Sequence, residues 1–352
     1  MSGTSTNVPV TLGLMTWGRE GTSGARVHDI KACEEMLDVL LKHGHNEVDT
    51  AIMYCGGTSE EYLGEIDWKS RGTKVDTKLW PAEYDGRKAK FDLDGLRYFL
   101  DIQLKAVKAE QLEIYYLHAP DYSTPLEETV AAIDSLYKEG KFKRWGVSNY
   151  PAWQVATICG IAERNGFVKP SAYQGIYNAL HRAIEPELFP CLRANGISFY
   201  EFNPLGGGFF TGAVSRDADV EKGSRFDPNT SQGQNYRSRY WREEYFSAMD
   251  KIKPVAEKHG LALAEIALRW IQHHSLLSRE HGDNILIGAS SLGHLEANLT
   301  DMEKGPLPEE VTNVLDEAWE IVKAVASQVR SLYHLNHPLR PTLLLPQYFR
   351  SD

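Results

Sequence analysis

Short runs of β-branched and aromatic residues recur along the chain, each followed by a longer stretch whose apolar residues have helical spacing. Eight such runs predict strands over 10–16, 47–50, 74–79, 114–117, 145–148, 172–177, 197–202 and 285–288. Between them, 29–42 sets Ala32, Met36, Leu37, Leu40 and Leu41 on one face, and 126–139 does the same with Val130, Ile133 and Leu136. Eight β/α repeats in 352 residues fit one closed parallel barrel, whose ordinary size is about 250 residues before insertions. The reading is therefore a single (β/α)8 domain over 1–352, with two long departures, 206–244 and 327–352, as loops over one mouth. An open doubly wound sheet is the alternative. It is marked by a glycine-rich turn after the first strand, and Leu14-Met15-Thr16-Trp17-Gly18 contains no GxGxxG.

Composition narrows the partners. With 42% hydrophobic and 24% charged residues the chain can bury a large core, and it has no signature of disorder. A formal charge of −10 argues against nucleic acid or an anionic membrane, which need clustered Lys and Arg. Cys33, Cys55, Cys159 and Cys191 are widely spaced with no CxxC pair, so neither a metal site nor a disulfide framework is expected. The first thirteen residues have neither a basic nor an apolar signal segment, and no run is long enough to span a bilayer, so the expectation is a cytoplasmic protein.

At the carboxyl ends of the predicted strands stand Asp49, Lys78 and His118, with Tyr54 five residues beyond Asp49. In a parallel barrel that end is the catalytic face. An isolated tyrosine has a pKa of about 10, and a neighbouring ammonium favours its phenolate. Lys78 supplies the cation, Asp49 its counter-charge, and His118 a donor that shares a carbonyl oxygen with Tyr54. The expected result is a phenol acidified by Lys78 that protonates a carbonyl. Taken singly, Asp49 and Lys78 also fit a surface ion pair, and His43, His45, His273 and His274 are read as core or rim histidines.

Such chemistry needs a bound hydride donor. Ser148-Asn149 and Gln174 can bond a flat carboxamide, or equally serve as turn and core hydrogen bonders. Phe202 can stack on a planar ring, and the glycines of Asn203-Pro204-Leu205-Gly206-Gly207-Gly208 let backbone amides approach a diphosphate. Gly288-Ala289-Ser290-Ser291, with His294 and Asn298 beyond, offers a helix start for an anion, and its serines also suit an ordinary N-cap.

Asp49 to Tyr54, Lys78, His118-Ala119-Pro120-Asp121, Gly146-Val147-Ser148-Asn149 and Asn203-Pro204-Leu205 together resemble the aldo-keto reductase superfamily. Phe189-Pro190-Cys191-Leu192-Arg193, Leu268-Arg269-Trp270, His273-His274-Ser275, Leu295-Glu296-Ala297-Asn298-Leu299 and Tyr348-Phe349-Arg350 resemble its aflatoxin-aldehyde reductase branch. The resemblance implies a (β/α)8 TIM barrel that reduces aldehydes, and some ketones and dicarbonyls, with NADPH. It implies Tyr54 as proton donor, tuned by Lys78 and Asp49, with His118 positioning the substrate. Ser148, Asn149 and Gln174 match the carboxamide positions, and Phe202 the stacking aromatic. Asn203, Pro204, Leu205, Gly207 and Gly212 lie along the segment matching the diphosphate site; Arg225, Ser290, Ser291, His294 and Asn298 match the adenosine-phosphate region. Tyr236, Arg239 and Arg350 match positions that meet a substrate carboxylate, as in succinic semialdehyde, and branch members are often dimers. Two other classes stand as alternatives. A non-catalytic nicotinamide-nucleotide-binding barrel of the channel β-subunit type is disfavoured by the intact Tyr54, Lys78 and His118, and a barrel lyase or hydrolase by the lack of a second strand-end acid.

Overall fold

The computed structural model describes residues 6–216, 220 and 223–327. Eight parallel strands close on themselves: β1 (Val10–Gly13), β2 (Glu47–Asp49), β3 (Lys74–Leu79), β4 (Leu112–Leu117), β5 (Phe142–Ser148), β6 (Ala172–Ile176), β7 (Ser198–Phe202) and β8 (Asn284–Gly288). Each strand pairs with the next in sequence, and β8 returns to β1 with Gly13 opposite Gly288. The register that matters for the site is Gly13 opposite Asp49 and Asp49 opposite Asp76. All eight predicted strands are present. The first is shorter than expected, ending at Gly13 where 10–16 was predicted; Thr16 lies in the following turn and donates its hydroxyl to the Ala289 carbonyl (2.7 Å), tying the β1 and β8 ends together.

The helices cover the barrel because their apolar stripes face it. Ile30–Lys42 begins where Asp29 accepts from the Lys31 amide (3.2 Å) and buries Cys33, Met36, Leu37 and Leu40, with Ala32 and Leu41 packed partly beneath. Leu126–Lys138 buries Val130, Ile133 and Leu136, as its spacing predicts. The stretch 206–244 is more ordered than a loop: it holds the short 3₁₀ segment Gly206–Thr211, the helix Ser231–Tyr240 and the start of Glu243–Lys258. After β3 a small hairpin pairs Glu83–Tyr84 with Arg87–Lys88 through Asp85 and Gly86, whose φ values are +49° and +79°. Of the predicted tail 327–352, only Ser327 is among the described residues.

Side chains alternate across each strand. Inward come Tyr116, Tyr200 and Leu286, forming a small cluster of their own, and outward come Tyr115, Phe199 and Ile285, which join the main core beneath the helices. The interior is strongly polar. Thr11 donates to Asn284 (3.0 Å) and Arg144 to the Tyr200 hydroxyl (3.1 Å), while burial, with Glu47 and Asp49 nearby, holds the Asp76 carboxyl well above the usual range. His45, pushed down to about 4 by burial, accepts from the Val10 amide; His43 meets Glu303, His273 the Lys304 carbonyl and His274 the Leu307 amide, so these four are structural as expected.

One outer-facing residue breaks the pattern. Glu201, between Tyr200 and Phe202, is 0% exposed, and neither carboxyl oxygen has a hydrogen-bond partner among the described residues. Burial alone raises it well above the carboxylate range, so the fold carries it as a neutral acid. The folded state then keeps a proton that the unfolded chain releases above its ordinary pKa of about 4.3, and stability falls as pH rises through the folded value. Glu201→Met is expected to raise unfolding free energy in urea by about 1–3 kcal/mol at about pH 8, with a smaller gain at about pH 4.

Candidate active site

β2 and β3 end side by side, and alternation turns Asp49 and Lys78 into the barrel mouth. There the Lys78 ammonium, 0% exposed, lies 2.5 Å from Asp49 Oδ1 and donates to the Thr50 carbonyl at 2.6 Å. The other Asp49 oxygen accepts from Gln174 Nε2 at 2.9 Å, a bond that reaches across the barrel from β6. Beyond β2, Ile52 N bonds the Lys78 carbonyl (3.2 Å) and the chain enters a tight turn at Tyr54, where Cys55, Gly56 and Gly57 take φ of 48°, 64° and 89°. That left-handed run swings Tyr54 back over the mouth, with its ring centroid 4.8 Å from Lys78 Nζ. His118, just past β4, meets the Tyr54 ring edge-on at 6.0 Å and Trp80 at 5.1 Å. All four predicted catalytic side chains thus converge.

The electrostatics differ from the expectation in one respect. Burial raises the Tyr54 pKa, Lys78 lowers it, and Asp49 raises it again; the net direction is upward. The expected net acidification is corrected: in a site this dry, desolvation and the nearby carboxylate outweigh the ammonium. Tyr54 therefore rests fully protonated. Burial opposes the charge on Lys78, but Asp49 and Tyr54 overcome it and hold the ammonium above its usual value. Burial pushes Asp49 up, against Lys78 and the Gln174 amide. Burial, then Lys78, drives His118 well below the usual histidine range, so its ring is neutral, and its buried Nδ1 has no hydrogen-bond partner among the described residues.

Around this centre lie the residues expected to hold a nucleotide. Asn149 (φ 62°) donates to the His118 carbonyl (2.9 Å) and to Ser148 Oγ (3.0 Å), so the pair braces His118. Gln174 has committed its amide nitrogen to Asp49. Phe202 sits partly exposed above the interior cluster. Asn203 (φ 68°) accepts from the Tyr236 hydroxyl (3.2 Å), while its own buried Nδ2 has no partner among the described residues. Pro204 is buried, and Leu205 precedes Gly206–Thr211. A Cβ on Gly207 would stand 2.1 Å from the Tyr236 ring, and one on Gly288 3.2 Å from Arg225 Nη2, so both glycines permit close approach. Gly212 closes the 3₁₀ segment against Leu263, at the far end from Asn203. Arg225 and Arg239 flank the Tyr236 ring at 5.7 and 5.8 Å. Ser290 bonds the His294 ring (3.0 Å), and Ser291 caps Leu292–Met302 by accepting from His294 N (3.3 Å). Asn298 lies one turn further along that helix, and Arg350 lies outside the described residues. An orphaned amide at Asn203 and an arginine lying against Gly288 at the β8 end fit a nucleotide carrying phosphate.

Sequence reasoning missed Trp80, which follows β3 as His118 follows β4 and packs on it; the same strand-end rule points to it. It also missed Asn178, which donates to the Asn203 carbonyl (3.0 Å) and toward the Tyr240 hydroxyl (3.2 Å) and so locks the turn after β7.

A parallel barrel whose mouth gathers a phenol, an ammonium, a carboxylate and a neutral imidazole is an oxidoreductase scaffold for carbonyl chemistry. The aldo/keto reductase family profile matches residues 9–320, and the chain belongs to that family. It is 44% identical to an aldo-keto reductase of Monascus ruber over 94% of this chain and 98% of the relative. It is 41% identical to the human aflatoxin B1 aldehyde reductase member 2, covering 88% and 86%. Among solved structures, the glycerol dehydrogenase AKR11B4 from Gluconobacter oxydans shares the fold, with a TM-score of 0.68 at 22% identity over 97% of this chain and 99% of that one. The expected family and aldehyde-reductase branch are thus found. Among the described residues, no helix is long and apolar enough to cross a membrane.

The buried pair sets the first test. Lys78→Met leaves Asp49 buried without its cation and is expected to cost about 3–5 kcal/mol in urea unfolding. The double variant Asp49→Asn, Lys78→Met should recover much of that loss, because no unpaired charge remains.

Proposed function

We propose that this chain is an NADPH-dependent aldehyde reductase in which Tyr54 donates the proton to the carbonyl oxygen. The observation that carries the reading is the Lys78 ammonium held 2.5 Å from Asp49 with the Tyr54 ring 4.8 Å away. When bound, the nicotinamide supplies hydride to the carbonyl carbon. The chain's own part is positioning and proton transfer. Tyr54, protonated at rest, meets an oxygen that becomes far more basic as it reduces, and the phenolate left behind faces Lys78. His118, neutral and braced through its carbonyl by Asn149, orients that oxygen without adding charge. Asp49 keeps Lys78 charged between transfers.

For the cofactor, Ser148, Asn149 and Gln174 suit the carboxamide and Phe202 the nicotinamide face. The Asn203–Gly212 segment suits the diphosphate, and Arg225 with Ser290, Ser291, His294 and Asn298 suits the adenosine phosphate. Arg225 over the end of β8 supports NADPH in preference to NADH, because a doubly charged phosphate needs a cation or several donors. Tyr236 and Arg239, side by side at the mouth, support acidic aldehydes as substrates. A nucleotide-binding barrel without turnover has no use for a charged lysine beside a protonated tyrosine, and the relatives at this identity are named as reductases.

Tyr54→Phe is expected to lower kcat/KM by about 10²–10⁴-fold, with NADPH affinity retained by fluorescence titration. Unchanged turnover would remove Tyr54 from the chemistry. Arg239→Ala should raise KM for succinic semialdehyde by about tenfold while barely moving an uncharged aldehyde of similar length. Equal losses for both would mean that Arg239 does not read a carboxylate.

A further inference from the structure

Behind the barrel wall lies a second polar cluster that the proton-transfer reading leaves unused. Because Asp49 and Lys78 face inward, their neighbours Thr50 and Thr77 face outward. The first turn of the helix Thr58–Glu65, which directly follows Tyr54–Gly57, meets both. Ser59 Oγ is 2.9 Å from Thr50 Oγ1 and donates to the Leu14 carbonyl at 2.9 Å. Glu60 Oε1 accepts from the Thr77 hydroxyl and from Gln103 Nε2 (2.8 Å). That amide nitrogen also lies 3.0 Å from the Lys78 carbonyl, the same oxygen that holds Ile52 N and thereby the turn into Tyr54.

Glu60 is 1% exposed, and Thr77 and Gln103 are fully buried. Burial pushes its carboxyl up to about 7, while Thr77, Gln103 and Lys78 hold it down. The groups that face it are Lys78 on β3, Glu61 on its own helix, Tyr84 on the hairpin and Tyr115 on β4. As a carboxylate it can accept from Thr77 and Gln103 together. As an acid, protonated on its other oxygen, it keeps Oε1 only as an uncharged and weaker acceptor for both, so Gln103, which serves three acceptors with two hydrogens, is held less firmly.

We propose that Glu60 is a positioning residue for the reduction, fixing Lys78 and the Tyr54 turn from outside the barrel through Thr77 and Gln103 and adding its negative charge to the field at Lys78. The inference rests on the reading of Tyr54 and Lys78 as the proton-donating pair. It gives the pH profile two features. On the acid side kcat falls where Glu60 takes up its proton; on the alkaline side it falls where Tyr54 loses its own, at a pH that the Glu60 charge raises.

The test is kcat against pH, at saturating NADPH and aldehyde, for the native protein, Glu60→Gln, Thr77→Val and Tyr54→Phe. Thermal midpoints and NADPH affinities are measured alongside. Glu60→Gln should abolish the acid-side step and bring the alkaline limb down by about half a pH unit or more, with NADPH affinity held. Thr77→Val removes a donor that favours the carboxylate, and should move the acid-side step up by about half a unit. A Glu60→Gln profile superimposable on the native one overturns the proposal, whatever happens to the thermal midpoint. If Glu60→Gln does not fold, a superimposable Thr77→Val profile overturns it equally. Turnover retained by Tyr54→Phe would defeat the parent reading instead, whereas an inactive Tyr54→Phe with unshifted Glu60→Gln limbs defeats this inference alone.

Discussion

An ammonium with no exposure to solvent survives at the end of β3 because a carboxylate stands 2.5 Å away and a backbone carbonyl accepts a second hydrogen bond. Desolvating either charge alone costs several kcal/mol, so neither partner is free to leave. That requirement fixes much around it. Asp49 must face inward from β2, which sets the β2–β3 register; Gln174 must reach from β6 to satisfy the second carboxylate oxygen. The turn at Tyr54 is pinned through Ile52 to the Lys78 carbonyl, so the phenol cannot drift from the ammonium without breaking the strand-end bonding.

The same dryness that strengthens the ion pair decides the acid–base state of the site. Tyr54 keeps its proton because desolvation and Asp49 outweigh Lys78, whereas His118 never gains a second because desolvation and Lys78 act together; the cation lowers the pKa of both groups, easing proton loss from the phenol and barring proton uptake by the imidazole. A resting site that is one phenol, one ammonium, one carboxylate and one neutral ring is poised to give up a single proton. Membership of the aldo/keto reductase family accords with that arrangement.

The barrel was legible because its strands are short, apolar and punctuated, and because the inward polar residues fall at strand ends. Asp49, Tyr54, Lys78 and His118 stand out by position alone. The helix Ser231–Tyr240 was not legible: Ser-Gln-Gly-Gln-Asn has no apolar stripe, and the helix is held by Thr230, which caps Gly233 N (2.9 Å), and by Tyr236 and Tyr240 packing inward. The hairpin after β3 carried a readable signal in Asp85-Gly86 that its two-residue strands obscured. Glu60 was invisible for a different reason. One residue in a charged run, Glu60-Glu61, reads as solvated helix surface, and only the closeness of Thr77 and Gln103 makes it a buried acid. The sign of the Tyr54 shift was likewise beyond the sequence, since it depends on how completely water is excluded.

The account turns on Lys78 acting on the phenol of Tyr54. Protein carrying ring-labelled tyrosine, titrated by carbon NMR in native form and as the folded Lys78→Met variant, measures that action directly. The account requires the Tyr54 signal to titrate at clearly higher pH once the ammonium is gone. Coincident titrations in the two proteins would show that the lysine does not influence the phenol, and the central claim would fall.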